Sequence, residues 1–172
     1  SFQAGIFAAS SRITLLFAII VSSLGSVINP RFAQFTSKKD FLGYSKKVFL
    51  LITGISFFLL LTVVFADRVI EFVFGGKFFE SIRVFQLLSL SMIPFLYSSI
   101  LTAAILYTFQ LPIFYAFLTF LNLAITVIIN IIFIPQIGYF APVIGSFVGN
   151  TICLLLGLVK VKKLINQNHY LK

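Results

Sequence analysis

Between Val84 and Val159 the chain carries 76 consecutive residues without an Asp, Glu, Lys, Arg or His. A bilayer's hydrocarbon layer is about 30 Å thick and takes roughly 20 apolar helical residues to cross, so this stretch is long enough for three crossings. Two interruptions divide it. One is Gln110-Leu111-Pro112, the other Pro135-Gln136-Ile137-Gly138 followed by Pro142; proline removes a helix donor and glycine ends helices cheaply. The predicted spans are 84–109, 113–134 and 140–159. Barrel strands would alternate polar and apolar residues, which these segments do not, so backbone groups in lipid have to be satisfied within helices.

The composition extends that reading to the whole chain. With 60% hydrophobic residues, 10% charged residues and a mean hydropathy of +1.11, against about 25% charged in an average soluble domain, the fold class is all-α integral membrane. A net charge of +9 on a soluble surface would point to nucleic acid. Here the basic residues flank apolar segments, where they orient helices and meet anionic headgroups, which argues for membrane lipids as partners and against nucleic acid. Cys153 is the only cysteine and lies in an apolar segment, and His169 is the only histidine, so neither an internal disulfide nor a cysteine-histidine metal site is expected. The chain begins with Ser1 and shows no signal-peptide pattern, and is read as part of a longer protein.

Two further spans precede the uncharged stretch, at 5–28 and 48–66, giving a transmembrane unit over 1–163 and a cytoplasmic tail over 164–172. In the first span Ala18, Ser22 and Ser26 recur every four residues, a spacing that lets another helix approach closely, and Pro30 is expected to stop the helix. The segment from Arg31 to Lys47 reads as a basic loop containing Lys38, Lys39 and Lys46, in which Phe41, Leu42 and Tyr44 form a short interfacial helix; it is either a topology anchor or a lipid-headgroup contact. Asp67 to Arg83 reads as a second loop around Gly75-Gly76. Lys77 is followed there by Phe78 rather than Ser or Thr, so no phosphate loop is present. Pro94 predicts a kink in the third span, with Ser89, Ser91, Ser98 and Ser99 available to satisfy freed backbone groups. In the last span Ala141, Gly145, Gly149, Cys153 and Gly157 place a small residue at every fourth position. That stripe predicts close helix packing, either fixed within the bundle or as a sliding seam.

Five spans put the termini on opposite sides of the membrane. Arg31, Lys38, Lys39, Lys46, Lys47, Lys160, Lys162, Lys163 and Lys172 fall on one side, and Arg68, Lys77 and Arg83 on the other. The positive-inside rule then makes the C-terminus cytoplasmic and the N-terminus external. The four carboxylates all lie between Asp40 and Glu80, outside the apolar cores, which argues against an enzyme and against an acidic ion relay within this chain. Arg12 is the one charge with a claim to membrane depth. Either it snorkels from the first turns of its helix or it binds an anionic group, for which the guanidinium fork suits phosphate.

These residues carry a resemblance. Gly5-Ile6-Phe7-Ala8-Ala9-Ser10-Ser11-Arg12-Ile13, then Asn29-Pro30-Arg31-Phe32, Phe74-Gly75, Phe85-Gln86-Leu87-Leu88, and finally Asn122, Asn130, Ile134-Pro135 and Gly138 are similar in order and spacing to the C-terminal half of polysaccharide flippases. These are the O-antigen and teichoic-acid exporters of the multidrug/oligosaccharidyl-lipid/polysaccharide exporter superfamily. The sequence departs from the family at Phe7, where tyrosine is usual, and at Phe140-Ala141-Pro142, which replaces a usual Gly-Ala-Ala. The resemblance implies that the five spans are helices eight to twelve of a twelve-helix, two-lobe transporter in a bacterial or archaeal cytoplasmic membrane, whose missing N-terminal lobe is a partner in the same chain. It implies translocation of a polyprenyl-pyrophosphate-linked oligosaccharide by alternating access, with Arg12 as a candidate pyrophosphate contact and Asn122 and Asn130 as candidates for sugar binding or helix packing. A cation-coupled drug exporter or lipid II flippase shares that fold, and a non-transporting membrane subunit is the alternative from another class. No cofactor is implied.

Overall fold

A computed structural model describes residues 2–75, 79 and 81–167. Six α-helices follow one another there: α1 (Phe2–Phe32), α2 (Lys38–Val64), α3 (Ala66–Phe74), α4 (Ser81–Ala103), α5 (Pro112–Ile137) and α6 (Phe140–Asn166), with a π-helical segment, Ala104–Thr108, extending α4. All but α3 are long and apolar enough to cross a membrane, over Ser10–Phe32, Lys38–Val64, Ser81–Thr108, Pro112–Ile137 and Phe140–Asn166. The chain has the architecture of a multi-pass, all-α membrane protein.

Three boundaries differ from the sequence expectation. The basic segment is not a loop with a separate interfacial helix, because α2 begins at Lys38 and runs unbroken into the span. Phe41, Val48, Ile52, Ser56 and Leu59 are buried along it, a helical stripe that starts among the lysines and continues without a change of face. Asp40 stands in the first turn, where a negative charge suits the helix dipole. The segment after the second span holds α3, whose Ala66 and Ile70 are fully buried one turn apart while Phe72 is 92% exposed. Its charges, Asp67, Arg68 and Glu71, are also exposed, so α3 is a short amphipathic helix rather than a loop, ended by Gly75 at φ 65. At the C-terminus, α6 reaches Asn166 and buries Val161 and Leu164, so the helix carries past 159 and the first residues assigned to the tail belong to it. His169, Lys172, Gly76, Lys77 and Glu80 lie outside the described residues.

The prolines act less abruptly than expected. Pro30 and Pro135 sit inside α1 and α5, each two residues before the helix end, where a missing donor costs only one terminal bond. Gly138, not Pro135, stops α5: it adopts φ 59 and ψ −129 and donates its N–H to Ile134 O at 2.9 Å. Pro94 is buried within a continuous α4. The nearby serine hydroxyls donate elsewhere, Ser91 to Leu88 O, Ser98 to Phe95 O and Ser99 to Leu96 O, while Ser89 Oγ is buried without a partner. The span closes in the π segment, where Phe109 N–H donates to Ala104 O and Leu111 N–H to Ile105 O, both at 3.0 Å. Gln110, at φ 52, then reverses the chain into Pro112 at the start of α5.

α4 is the centre of the bundle. It packs against α1, α2 and α6, and half of its apolar window is buried against 6% for that of α5. The contacts at its two ends fix the alternation of the helices. At one end Ser10 Oγ donates to Ser81 O at 3.0 Å, and Ile13 clusters with Ala66, Ile70 and Phe85. At the other, Thr108 Oγ1 donates to Phe32 O at 2.6 Å, supplying the terminal carbonyl of α1 with a partner. There Phe32 also meets Phe41 and Tyr44 at ring separations of 5.9 and 5.4 Å, and Phe41 meets Phe109 at 5.6 Å. Arg31, Lys38, Lys39, Lys46, Lys47, Lys160, Lys162 and Lys163 therefore collect around this second, aromatic end.

Gly138 and Gly54 offer a paired test of this reading. Gly138 holds a positive φ that an L side chain adopts at a cost of about 1–3 kcal/mol, whereas Gly54 is in regular helix with open space around a Cβ. Gly138→Ala is expected to lower stability against denaturing detergent by that amount, and Gly54→Ala to leave it unchanged or raise it slightly.

Candidate functional site

The five long helices line a partly open cavity of about 430 Å³ on the half of the bundle nearer the aromatic end. α1 lines it with Ala18, Ser22, Gly25 and Asn29, and α4 with Ser98, Ser99 and Thr102. α5 contributes Tyr115, Thr119 and Asn122, and α6 Asn150, Cys153 and Gly157. On α1 these positions fall at steps of four, three and four, a single helix face. The lining sets these hydroxyl and amide groups among a larger apolar area from residues such as Val21, Ile52, Phe95 and Leu118, and holds no charged side chain. The hydroxyls of Ser98, Ser99, Thr102 and Thr119 donate to carbonyls of their own helices and Asn122 donates to Asn150, so what they offer a neutral polyhydroxyl ligand or water is their remaining hydrogen-bonding capacity.

The far wall is a hydrogen-bonded seam between α5 and α6. Cys153 S–H donates to Leu118 O at 3.3 Å, Asn122 Nδ2 to Asn150 Oδ1 at 3.0 Å, and Thr126 Oγ1 to Gly145 O at 3.5 Å. Small residues permit this approach. A Cβ on Gly145 would lie 3.3 Å from Thr126 O, one on Gly149 would overlap Asn122 Oδ1, and one on Gly157 would lie 3.3 Å from Leu101 Cδ1. The stripe of Ala141, Gly145, Gly149, Cys153 and Gly157 is thus packed inside the bundle, its upper part on α5 and Gly157 on α4. The Ala18-Ser22-Ser26 stripe is different. Ala18 and Ser22 face the cavity, and Ser26 is exposed with its hydroxyl bonded to Ser23 O at 2.7 Å, so no described helix closes on that face.

The structure does not bring the three candidate binding residues together. Asn122 lines the cavity. Arg12 is exposed on α1, and its nearest neighbour in the lining along that helix, Ala18, is six residues away, about 9 Å of helix rise. Asn130 lies two turns beyond Asn122 on the line of α5 that carries Thr126, with its side-chain oxygen buried and unpartnered. Asn29, Thr119 and Asn150 were not signalled as binding residues by the sequence. Thr119 and Asn150 are uncharged polar residues within apolar helices, the same signal that marked Asn122, whereas Asn29 lies in the last turn of α1 beside Pro30 and Arg31. Among the described residues no three of His, Cys, Asp and Glu are grouped to hold a metal.

Comparison with family models, with characterised proteins and with solved structures finds no match to this chain.

The amide pair gives a measurable coupling. Intramembrane side-chain hydrogen bonds average about 0.6 kcal/mol and reach about 1.7. A double-mutant cycle of Asn122→Ala and Asn150→Ala, followed by unfolding in mixed micelles, should return a coupling in that range. Gly149→Leu is expected to separate α5 from α6 and cost more than any member of the cycle, since its side chain would occupy the space of Asn122 and force overpacking.

Proposed function

We propose that the chain is the larger part of one lobe of a two-lobe, twelve-helix flippase that moves a polyprenyl-pyrophosphate-linked oligosaccharide from the cytoplasmic to the outer leaflet by alternating access. The observation that carries this reading is the uncharged cavity at membrane depth, flanked by α1 and α5, in which Asn29, Thr119, Asn122 and Asn150 stand among apolar side chains. Sugars are bound through hydroxyl groups, each able to donate and accept, and amides offer both functions at fixed positions. A carboxylate relay has no member in the lining. The series of motifs from Gly5 to Gly138, similar to the polysaccharide flippases, supports the same substrate class.

In this reading the aromatic, lysine-rich end is cytoplasmic, following the positive-inside rule, and the cavity lies in the cytoplasmic half. Asn29, Thr119, Asn122 and Asn150 contact the glycan. Arg12, toward the external end of α1, is reserved for the pyrophosphate, where a guanidinium can engage two oxygens together. The prenyl chain stays in lipid. The second lobe, on the cavity's α1–α5 side, completes the enclosure.

Complementation tests this directly. The full-length protein is expressed in a bacterium lacking its own polysaccharide flippase, and surface glycan is measured at equal membrane abundance. Asn29→Leu and Thr119→Val are each expected to lower export roughly five-fold, the worth of one hydrogen bond of about 1 kcal/mol. Arg12→Ala should abolish export and Arg12→Lys retain part of it. Unchanged export in all four variants would remove the cavity and Arg12 from the transport path and favour a non-transporting membrane subunit.

A further inference from the structure

A second cavity of about 530 Å³ shares only Ile100 and Leu101 with the first. It is a furrow between α2 and α6, which both pack on α4 but scarcely on each other. Tyr97, Ile100 and Leu101 of α4 form its floor, and Leu42, Phe49, Leu154 and Leu158 its walls. The lining runs from Leu42 to Phe49 on α2, about 10 Å of helix rise, so the furrow takes the part of an acyl chain next to its headgroup.

Two features at the furrow's aromatic end are not apolar. Lys46 lines it, and the exposed Lys162 stands one turn beyond Leu158 on the same line of α6, so each wall carries a lysine toward this end. Ser45 also lines it, and its Oγ is buried with no hydrogen-bond partner in the protein. A buried hydroxyl left unpaired calls for a partner from outside.

We propose that this furrow is a binding site for one anionic glycerophospholipid: an acyl chain lies along α4 between α2 and α6, the phosphate sits between Lys46 and Lys162, and Ser45 donates to a headgroup oxygen. Charge complementarity at the mouth selects the occupant, since an apolar furrow alone would accept any chain, and the paired lysines discriminate a net-negative headgroup from a zwitterionic one. The site does not depend on the transport reading, because it shares none of the glycan-facing residues.

The test uses the full chain in nanodiscs, with native mass spectrometry to count retained lipid. The probes are phosphatidylglycerol and phosphatidylcholine with identical acyl chains. One phosphatidylglycerol is expected to be retained per chain, with a preference of roughly thirty-fold from two lysines near the membrane surface. The double variant Lys46→Gln/Lys162→Gln should bring the two lipids close to parity, whereas Lys38→Gln/Lys39→Gln, at the same end but outside the furrow, should keep the preference. Leu158→Trp and Leu42→Trp, which fill the furrow from opposite walls, should each reduce retention of both lipids with helicity unchanged. Parity in the unmodified protein, equal loss of preference in the Lys38/Lys39 variant, or undiminished retention in both tryptophan variants would overturn the site. So would an isoprenyl monophosphate that displaced phosphatidylglycerol at one-tenth its concentration, since the occupant would then be a polyprenyl lipid.

Discussion

The hydrocarbon of a bilayer offers no hydrogen bonds, and this one constraint organises the molecule. Backbone groups freed by proline, by a reversal or by a helix end have to find partners within the protein. The π segment shows how. Between Ala104 and Thr108 the helix widens, and the turn into Pro112 keeps its amides bonded back to Ala104 and Ile105. The same segment offers Thr108 to the last carbonyl of α1, so one local irregularity closes two helix ends. Around it the rings of Phe32, Phe41, Tyr44 and Phe109 seal the junction against water. Such rings in edge-to-face contact each add about 0.5–1.5 kcal/mol beyond simple burial.

α4 could be central only because its sequence is unlike that of its neighbours. Its buried positions include Ser81, Ser89, Ser91, Ala103 and Pro94 alongside Val84, Phe85 and Leu96. Small and polar side chains at a helix interface allow approach on several sides at once. α5, whose window is almost wholly exposed, is the contrast: its isoleucines and phenylalanines are largely exposed, while Tyr115, Thr119, Asn122 and Thr126 face the cavity or α6.

The spans were legible because hydrophobicity and length decide them, and those are properties of the sequence alone. The breaks at Gln110-Leu111-Pro112 and Gly138 were legible for the same reason, since local backbone chemistry fixes them. What was hidden was fixed by packing. That α2 begins among its lysines depends on Phe41 finding Phe32 and Phe109, residues far apart in the chain. That α3 is a helix depends on Ala66 and Ile70 finding Phe85. The cavity was half legible: Asn122 was marked as a polar residue at depth, but Asn29, Thr119 and Asn150 become a group only when three helices are set around it. Arg12, the most conspicuous residue in the sequence, lies outside that group, because a charge draws attention whether or not it faces the interior.

The seam between α5 and α6 has a mechanical meaning. α5 leans on α6 and on the π segment but on no other helix to any extent, and its bonds to α6 are spread along it from Leu118 to Thr126. The pair is anchored through α6, which packs along α4 from Val143 against Val84 and Leu88 at one end to Gly157 against Leu101 at the other. The opposite wall, α1, is tied to the two ends of α4 by Ser10 and Thr108. Two walls of the cavity, α1 and α6, are thus set directly on α4, while α5 is the wall whose position rests chiefly on a single neighbour.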